Sequence, residues 1–170
     1  MNKIIALTLL LLSSSVFANT TIFGMELGVM SEKNLKSKYN VRHTGTNKYT
    51  NGNMYSIPVS SIKFSDLKEV IVIFSANGKL EAVLTTFPKN KFNYLNSSIG
   101  KKYKLISQRI PFVGNKKVTY RDGSIEITLE APHMNFNMSM NYISDNFTQA
   151  FNRKSRAETR EKQESESSQL

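Results

Sequence analysis

The sequence predicts an α+β fold, in which an antiparallel sheet carries helices packed on one face. Three observations favour this class. Alternating apolar and polar residues recur in strand-length runs, and Asn-Gly or Asp-Gly pairs lie between several of these runs. Elsewhere, apolar residues recur at intervals of three and four, which is typical of a helix that buries one side. A sheet built from such alternating strands can leave its second face open to solvent.

The first half of the chain predicts an extended start, a helix and four strands. Residues 21–28 form a short strand or an extended lead-in, and Ser31 is placed to cap a helix that buries Leu35 and Tyr39. The predicted strands cover 41–49, 54–59, 70–74 and 80–87, with tight turns at Asn51-Gly52 and Asn77-Gly78.

The second half repeats this plan and ends in a further helix. Asn90 is placed to cap a helix that uses Phe92, Leu95 and Ile99, and strands should follow over 104–112, 117–120, 124–129 and 134–142. The last of these strands has a regular alternation that predicts one buried face, consisting of Met134, Phe136, Met138, Met140 and Tyr142. Ser144 is then placed to cap a final helix.

A weak internal similarity suggests two degenerate helix-then-strands repeats. Lys38-Tyr39-Asn40-Val41 followed by Tyr49-Thr50-Asn51-Gly52 resembles Lys102-Tyr103-Lys104-Leu105 followed by Tyr120-Arg121-Asp122-Gly123. The spacing between the two blocks differs in the two copies, so duplication is a hypothesis.

The N-terminus has the three parts of a secretory signal peptide. Lys3 precedes an apolar run over residues 4–12, and Val16-Phe17-Ala18 provides a cleavage site after Ala18. The alternative, a membrane anchor, would need about 20 apolar residues, and a lipid anchor would need a cysteine, which the chain lacks. We expect residues 1–18 to be removed and the protein to be periplasmic or secreted from a bacterium.

The remainder of the chain predicts one domain and a polar tail. Residues 19–152 are enough for a single α+β domain with its own core. Residues 153–170 contain no large apolar residue before Leu170, so this tail is either a helical extension or disordered.

Composition limits the partners. The chain has no cysteine, so it has no disulfides and no thiolate metal site. The net charge of +10 falls to +10 − 1 = +9 without Lys3. That charge favours an acidic protein, an anionic glycan or lipid headgroups, whereas export argues against nucleic acid. The alternative is that dispersed lysines keep the protein soluble.

No catalytic motif is present. His43 and His133 lie far apart in the sequence, without the spacing of a metal-binding or nucleophile motif. Glu126 and Glu130 are the carboxylates nearest a predicted buried strand, but outward carboxylates are mostly solvated. We therefore expect a protein that is not an enzyme and that carries no cofactor.

One group of residues could bind a metal. His133, Met138 and Met140, with Met134 beside them, provide the imidazole and thioether ligands that suit Cu(I). Their alternation with Phe136 and Tyr142 favours the other interpretation, in which the methionines fill the core.

Two basic clusters are the candidate binding positions. Lys101, Lys102 and Lys104 surround Tyr103, and Lys116 and Lys117 lie in a predicted turn before Tyr120. Aromatic side chains beside cations can bind sugars or acidic peptide loops, although lysine-rich turns are commonly plain surface.

Residues Phe23 to Tyr39 resemble a known group of proteins. Phe23-Gly24-Met25-Glu26-Leu27-Gly28, followed by a short helix and then strands, is similar to small exported domains of the β-lactamase-inhibitor-protein type. An outer-membrane assembly lipoprotein has a similar helix-then-sheet build. The resemblance implies a non-catalytic binder that presents a sheet face or loops to another protein. The chain departs from those groups in having neither disulfides nor a lipid-bearing cysteine.

These observations give a ranked set of hypotheses. The first is a non-catalytic periplasmic or secreted binding protein, of inhibitor or immunity type, that acts on another envelope protein. The alternative is a basic binder of anionic glycans or lipid headgroups, and the third is a periplasmic Cu(I) carrier. None of the three requires a membrane-spanning segment.

Overall fold

The predicted α+β class is confirmed, because one eight-stranded antiparallel sheet carries helices on one of its faces. The structure is a computed structural model that describes residues 20–170. The predicted signal peptide and its cleavage site near Ala18 therefore lie outside the described residues. Within residues 20–170, no helix is both long enough and apolar enough to cross a lipid bilayer.

The elements follow one another in an order that repeats. The first half contains β1 (Thr21–Ile22), β2 (Met25–Glu26), α1 (Glu32–Lys38), β3 (Arg42–Thr46), β4 (Asn51–Ser56), β5 (Glu69–Ser75) and β6 (Leu80–Pro88). The second half contains α2 (Phe92–Gly100), β7 (Lys104–Arg109), β8 (Lys116–Asp122), β9 (Ile125–Ala131), β10 (Asn137–Ser144) and α3 (Asp145–Ser167). Short 3₁₀ turns lie at Val59–Ser61 and Lys89–Lys91.

The sheet joins two meanders of four strands. Its strand order is β3-β4-β5-β6-β10-β9-β8-β7, while β1 and β2 form a separate hairpin. Each half is a helix followed by four sequential strands, and the last strands of the two halves, β6 and β10, pair in the middle. This arrangement has the helix-then-strands repeat that the sequence suggested.

One face of the sheet, here called the helix face, forms the core. A row of opposed residues crosses six strands and is buried throughout: Tyr55, Val72, Val83, Tyr142, Ile127 and Tyr120. Helix residues Leu35, Phe92, Leu95 and Ile99 are buried in the same cluster. The helices α1 and α2 therefore cover the helix face, because their apolar sides need the same burial as the strands do.

The opposite face, here called the open face, is more polar. The next row across the sheet consists of Ser56, Ile71, Leu84, Asn141, Thr128, Thr119 and Ser107. At one end of the sheet, α3 leaves β10 and packs Phe147 and Phe151 against Tyr49, at ring-centroid distances of 6.4 and 4.7 Å. The polar tail is thus a helical extension that continues α3 to Ser167.

The first predicted turn is wrong in position. The chain turns over residues 47–50, where the Asn47 Oδ1 atom accepts hydrogen bonds from the backbone N–H groups of Tyr49 and Thr50 at 2.9 and 3.1 Å. Asn51 and Gly52 instead begin β4 at an irregularity in its register with β5. A Cβ atom on Gly52 would lie 2.0 Å from the Phe74 carbonyl oxygen, so this glycine permits close strand contact. The turn predicted at Asn77-Gly78 is confirmed.

Two of the three predicted helix caps are confirmed. The Ser31 and Ser144 hydroxyls accept hydrogen bonds from the N–H groups of Asn34 and Phe147, at 3.2 and 3.0 Å. The cap predicted at Asn90 is wrong, because α2 is entered through the 3₁₀ turn Lys89–Lys91. The Phe92 N–H donates to the Lys89 carbonyl in this turn, so the chain enters α2 without a side-chain cap.

The last strand starts later than predicted. β10 begins at Asn137, and Met138, Met140 and Tyr142 are buried as expected, whereas Met134 and Phe136 are exposed. The physical reason is a local turn: the Asn135 side chain accepts a hydrogen bond from the Asn137 N–H at 2.8 Å, and the Asn135 N–H donates to the Pro132 carbonyl at 3.4 Å. These bonds form a local turn, so Met134 and Phe136 lie outside β10.

Candidate functional site

Large apolar side chains are concentrated on two neighbouring loops at one end of the sheet. Phe112 is fully exposed, and Met134 and Phe136 have 91% and 92% of their surface exposed. Phe112 lies in the β7–β8 loop, residues 110–115, and the other two lie in the β9–β10 loop, residues 132–136. Because β8 pairs with β9 up to Lys116 and Ala131, these loops emerge side by side. They are here called the loop site.

Hydrogen bonds join the two loops to each other, and further bonds join the β9–β10 loop to Lys89. The His133 N–H donates to the Asn115 Oδ1 atom at 2.8 Å, which joins one loop to the other. On the other side of the β9–β10 loop, the Lys89 N–H donates to the Phe136 carbonyl at 2.8 Å. The Lys89 ammonium donates to the Pro132 and His133 carbonyls. The β9–β10 loop is therefore held from both neighbours while its apolar side chains point into solvent.

Positive charge borders the loop site. Arg109 ends β7, and Lys116 and Lys117 begin β8. The Lys117 ammonium pairs with the Glu130 carboxylate at 2.6 Å, and both side chains are about half exposed. The Lys116 ammonium lies 5.4 Å from the centroid of the Phe92 ring. Cationic side chains thus lie at the strand ends on either side of the β7–β8 loop.

Two shallow hollows adjoin the loops. One, of about 380 Å³, is lined by residues that include Gln108, Arg109, Asn115 and Lys116. The other, of about 250 Å³, includes Asn135 and Met138 in its lining. Glu130 and Pro132 line both hollows. The site therefore combines protruding apolar side chains with concave surfaces beside them.

The predicted basic positions do not form one patch. Lys116 and Lys117 lie at the loop site, whereas Lys101, Lys102 and Tyr103 follow the end of α2 on the helix side. Lys104 starts β7 opposite Arg121, on the open face. The structure therefore divides the two predicted clusters among three surfaces.

The two tyrosines of these clusters are covered by the protein to different extents. Tyr120 is buried, and its hydroxyl donates to the Asn96 Oδ1 atom at 2.7 Å. Tyr103 is half-buried and packs its ring edge-on against Tyr142. Burial raises the pKa of both Tyr103 and Tyr120. Neither ring is presented to the surface as a flat binding platform.

The copper candidates lie in different surroundings. Met138 and Met140 are buried in the core on the helix face, which is the core-filling role considered for them. His133 lies in the exposed β9–β10 loop. Among residues 20–170, no group of three or more histidine, cysteine, aspartate or glutamate side chains is placed to hold a metal ion.

The remaining candidates for acid or base chemistry already have partners. Glu130 pairs with Lys117, and Glu126 lies opposite Arg121 across β8 and β9. His43 packs edge-on against the Tyr55 ring at 5.3 Å, and one ring nitrogen lies 3.2 Å from the Asn53 side-chain oxygen. These contacts tie the groups into the sheet surface.

Sequence reasoning missed the apolar loops. The sequence pattern predicts Phe112 at the end of a strand, and Met134 and Phe136 on a buried strand face. A usable signal was present, because Pro111 and Gly114 flank Phe112, and Pro132 and Asn135 flank Met134.

Comparison with protein-family models, curated proteins and solved structures found no match for this chain.

Proposed function

We propose that this protein is a non-catalytic binding protein that acts on another envelope protein through the loop site, as an inhibitor or immunity-type factor. In this proposal it acts in the periplasm or outside the cell, after cleavage near Ala18. The observation that carries the proposal is the near-complete exposure of Phe112, Met134 and Phe136 on two adjoining loops.

Exposure of these side chains favours a partner that buries them. Burying a large apolar side chain contributes about 1.5–3 kcal/mol. Aromatic residues and methionine are enriched in protein interfaces, and a few aromatic anchors commonly dominate the binding energy. Clustered apolar side chains on a monomer surface mark interaction sites more often than isolated ones do.

The hydrogen bonds that hold the β9–β10 loop support the same function. Because the bonds to Asn115 and Lys89 hold the backbone of the β9–β10 loop before any partner binds, less conformational entropy is lost on association. The hollows beside the loops offer concave surfaces for a partner's own protruding groups. A protein surface can match such relief, whereas a fluid lipid surface has no fixed shape to match.

The cations around the loop site favour a second candidate function. Arg109, Lys116 and Lys117 border the apolar side chains, and such an arrangement also suits a surface of anionic lipid headgroups or an anionic glycan. Salt separates the two candidates. A contact that depends on surface charge weakens steeply with ionic strength, while a desolvated apolar interface does not.

The test uses protein obtained by expression of the full chain, immobilised and exposed to envelope extract. We expect a protein partner to remain bound at about 1 M salt, where the screening length is roughly 3 Å. The variant Phe112→Ser/Phe136→Ser should lose this partner. The matched control, Val29→Ser/Val59→Ser, also removes two exposed apolar side chains but leaves both loops intact, and it should retain the partner.

Two results would reject the proposal. Equal capture by the loop variant and the wild-type protein would place the interface elsewhere. Recovery of only anionic lipid or glycan, released at modest salt, would assign the function to the basic residues Arg109, Lys116 and Lys117.

A further inference from the structure

A separate pocket of about 440 Å³ opens on the helix side of the sheet. It lies between the β1–β2 hairpin, α2 and the central strand β10, where the two halves of the protein meet. The first half contributes Ile22 and Phe64, and the second half contributes Leu95, Ile99 and Met140. None of the residues of the loop site lines it. The wall is therefore mainly apolar and belongs to the core.

Two tyrosines add polar groups to this apolar wall. The rings of Tyr103 and Tyr142 meet edge to face with centroids 6.2 Å apart, and both residues line the pocket. Burial raises the pKa of both phenols, so both stay protonated at neutral pH. A ligand in the pocket would meet hydroxyl groups and no negative charge from these side chains.

Two lysines lie at the mouth of the pocket. Lys101 and Lys102 follow directly after α2, line the pocket and are exposed. Neither ammonium belongs to an ion pair within residues 20–170. Adjacent cations without carboxylate partners attract an anionic group to the mouth.

We propose that this pocket binds a small amphipathic anion, with its apolar body against the partly exposed rings of Phe23, Phe64 and Tyr94 and its anionic head at Lys101 and Lys102. The volume lies within the roughly 300–1,000 Å³ of small-molecule sites, which typically combine an apolar lining with a few placed polar groups. This site is independent of the loop site and does not rest on the function proposed for it.

The test uses two fluorescent probes that differ in charge. 8-Anilinonaphthalene-1-sulfonate has an aromatic body and a sulfonate, and N-phenyl-1-naphthylamine has the same body without the charge. We expect the protein, expressed from the full chain, to bind the sulfonate probe saturably at one site. The variant Lys101→Gln/Lys102→Gln should weaken the anionic probe by about tenfold, the scale of a charge-assisted contact of roughly 1.4 kcal/mol. It should leave the neutral probe within about twofold.

A pair of serine variants on α2 locates the probe. Ser98 lines the pocket, whereas its neighbour Ser97 is exposed and does not. Ser98→Trp should fill the pocket and abolish binding of both probes, and Ser97→Trp should bind them as the wild type does. Unchanged far-ultraviolet circular dichroism verifies that both variants remain folded. The loop variant Phe112→Ser/Phe136→Ser should bind the probes normally.

Three results would overturn the inference. Absence of saturable binding by the wild-type protein would show that the pocket takes no such ligand. Unimpaired binding by Ser98→Trp would place the probe elsewhere on the surface. An equal loss of the anionic and neutral probes in Lys101→Gln/Lys102→Gln would refute the anionic head group.

Discussion

Glu32, in the first turn of α1, is held by the side chains of β4. Its carboxylate accepts hydrogen bonds from the Tyr55 hydroxyl at 2.5 Å and from the Asn53 amide at 3.1 Å, and the Lys36 ammonium lies 3.7 Å away. Partial burial raises the pKa of Glu32, but the bonds from Tyr55 and Asn53 and the charge of Lys36 outweigh it. The pKa of this carboxyl is therefore below its usual value, and its ionised form stabilises the fold.

Replacing Tyr55 with phenylalanine tests this contact. At pH 7 the variant Tyr55→Phe should lose about 1 kcal/mol of unfolding free energy, because the carboxylate loses a donor. A lowered folded-state pKa gives stability that is complete above the unfolded pKa of about 4.3 and is lost as pH falls through the folded value. The difference between wild type and variant should therefore shrink below about pH 4 in urea denaturation. A difference that grows on acidification would contradict this role.

Ser144 joins the start of α3 to a buried carboxylate. Its hydroxyl caps α3 through the Phe147 N–H and also donates to the Glu81 carboxylate, and Ser144 and Glu81 are 4% and 5% exposed. Ser31 caps α1 in the same way, but it has no buried carboxylate as partner among the described contacts. The two serines thus form a matched pair.

We expect Ser144→Ala to cost more than Ser31→Ala. Loss of an N-cap typically costs about 1 kcal/mol, and a buried carboxylate left without its donor adds roughly 1–3 kcal/mol. Urea denaturation of the two variants at pH 7 measures the difference. Equal losses would mean that the contact between Ser144 and Glu81 contributes nothing to stability.

Among the elements, those with strong local signals could be predicted from the sequence. The hairpin of β5 and β6 has an apolar run, an Asn-Gly pair and a second run, so local chemistry alone specifies it. The start of β10 could not be predicted in this way. Met134 and Phe136 continue the alternation of the strand, and only the turn made by Asn135 separates them from it.

The candidate site was partly predictable for the same reason. The charges of Lys116 and Lys117 were visible in the sequence, and their position beside the β7–β8 loop follows from a predicted turn. The sequence pattern predicts strands for the apolar residues of the loop site, because alternation with polar residues normally indicates burial. That the two loops lie side by side depends on the pairing of β8 with β9, which is not encoded in either loop.

The far part of α3 makes few contacts, and its removal should be tolerated. Beyond Phe151 the side chains are almost all exposed, and the ion pair of Lys48 with Glu158, at 3.1 Å, is a surface pair of the kind worth about 0–1 kcal/mol. A chain that ends at Asn152 keeps Tyr49, Phe147 and Phe151. It should lose no more than about 1 kcal/mol of unfolding free energy in urea denaturation. A loss several times larger would show that the extension is part of the fold.

At the scale of the whole molecule, the two halves share one core. The central strands β6 and β10 belong to different halves and pair along seven residue positions, from Asn137 opposite Pro88 to Ile143 opposite Ala82. Val83 and Tyr142 face each other in the buried row of the helix face. Neither half can bury this row without the other.

The shared core predicts a single unfolding transition. Tyrosine fluorescence and far-ultraviolet circular dichroism should give coincident curves, as expected for one cooperative unit. Val83→Ala should shift the whole curve by about 2 kcal/mol, whereas Leu105→Ala at the exposed edge strand should shift it by at most about 0.5 kcal/mol. Two separated transitions would show that the halves fold as independent units.

The loop site should control the affinity of the captured envelope protein, which can be measured for three forms of this chain: wild type, Phe112→Ser/Phe136→Ser and Val29→Ser/Val59→Ser. With about 1.4 kcal/mol for each tenfold change and two apolar anchors removed, the loop variant should bind at least ~100-fold more weakly. The control should match the wild type, and raising the salt from about 0.15 to 1 M should change the wild-type affinity little. Equal affinity of the two variants, or binding abolished by salt alone, would contradict a protein interface built on the loop site.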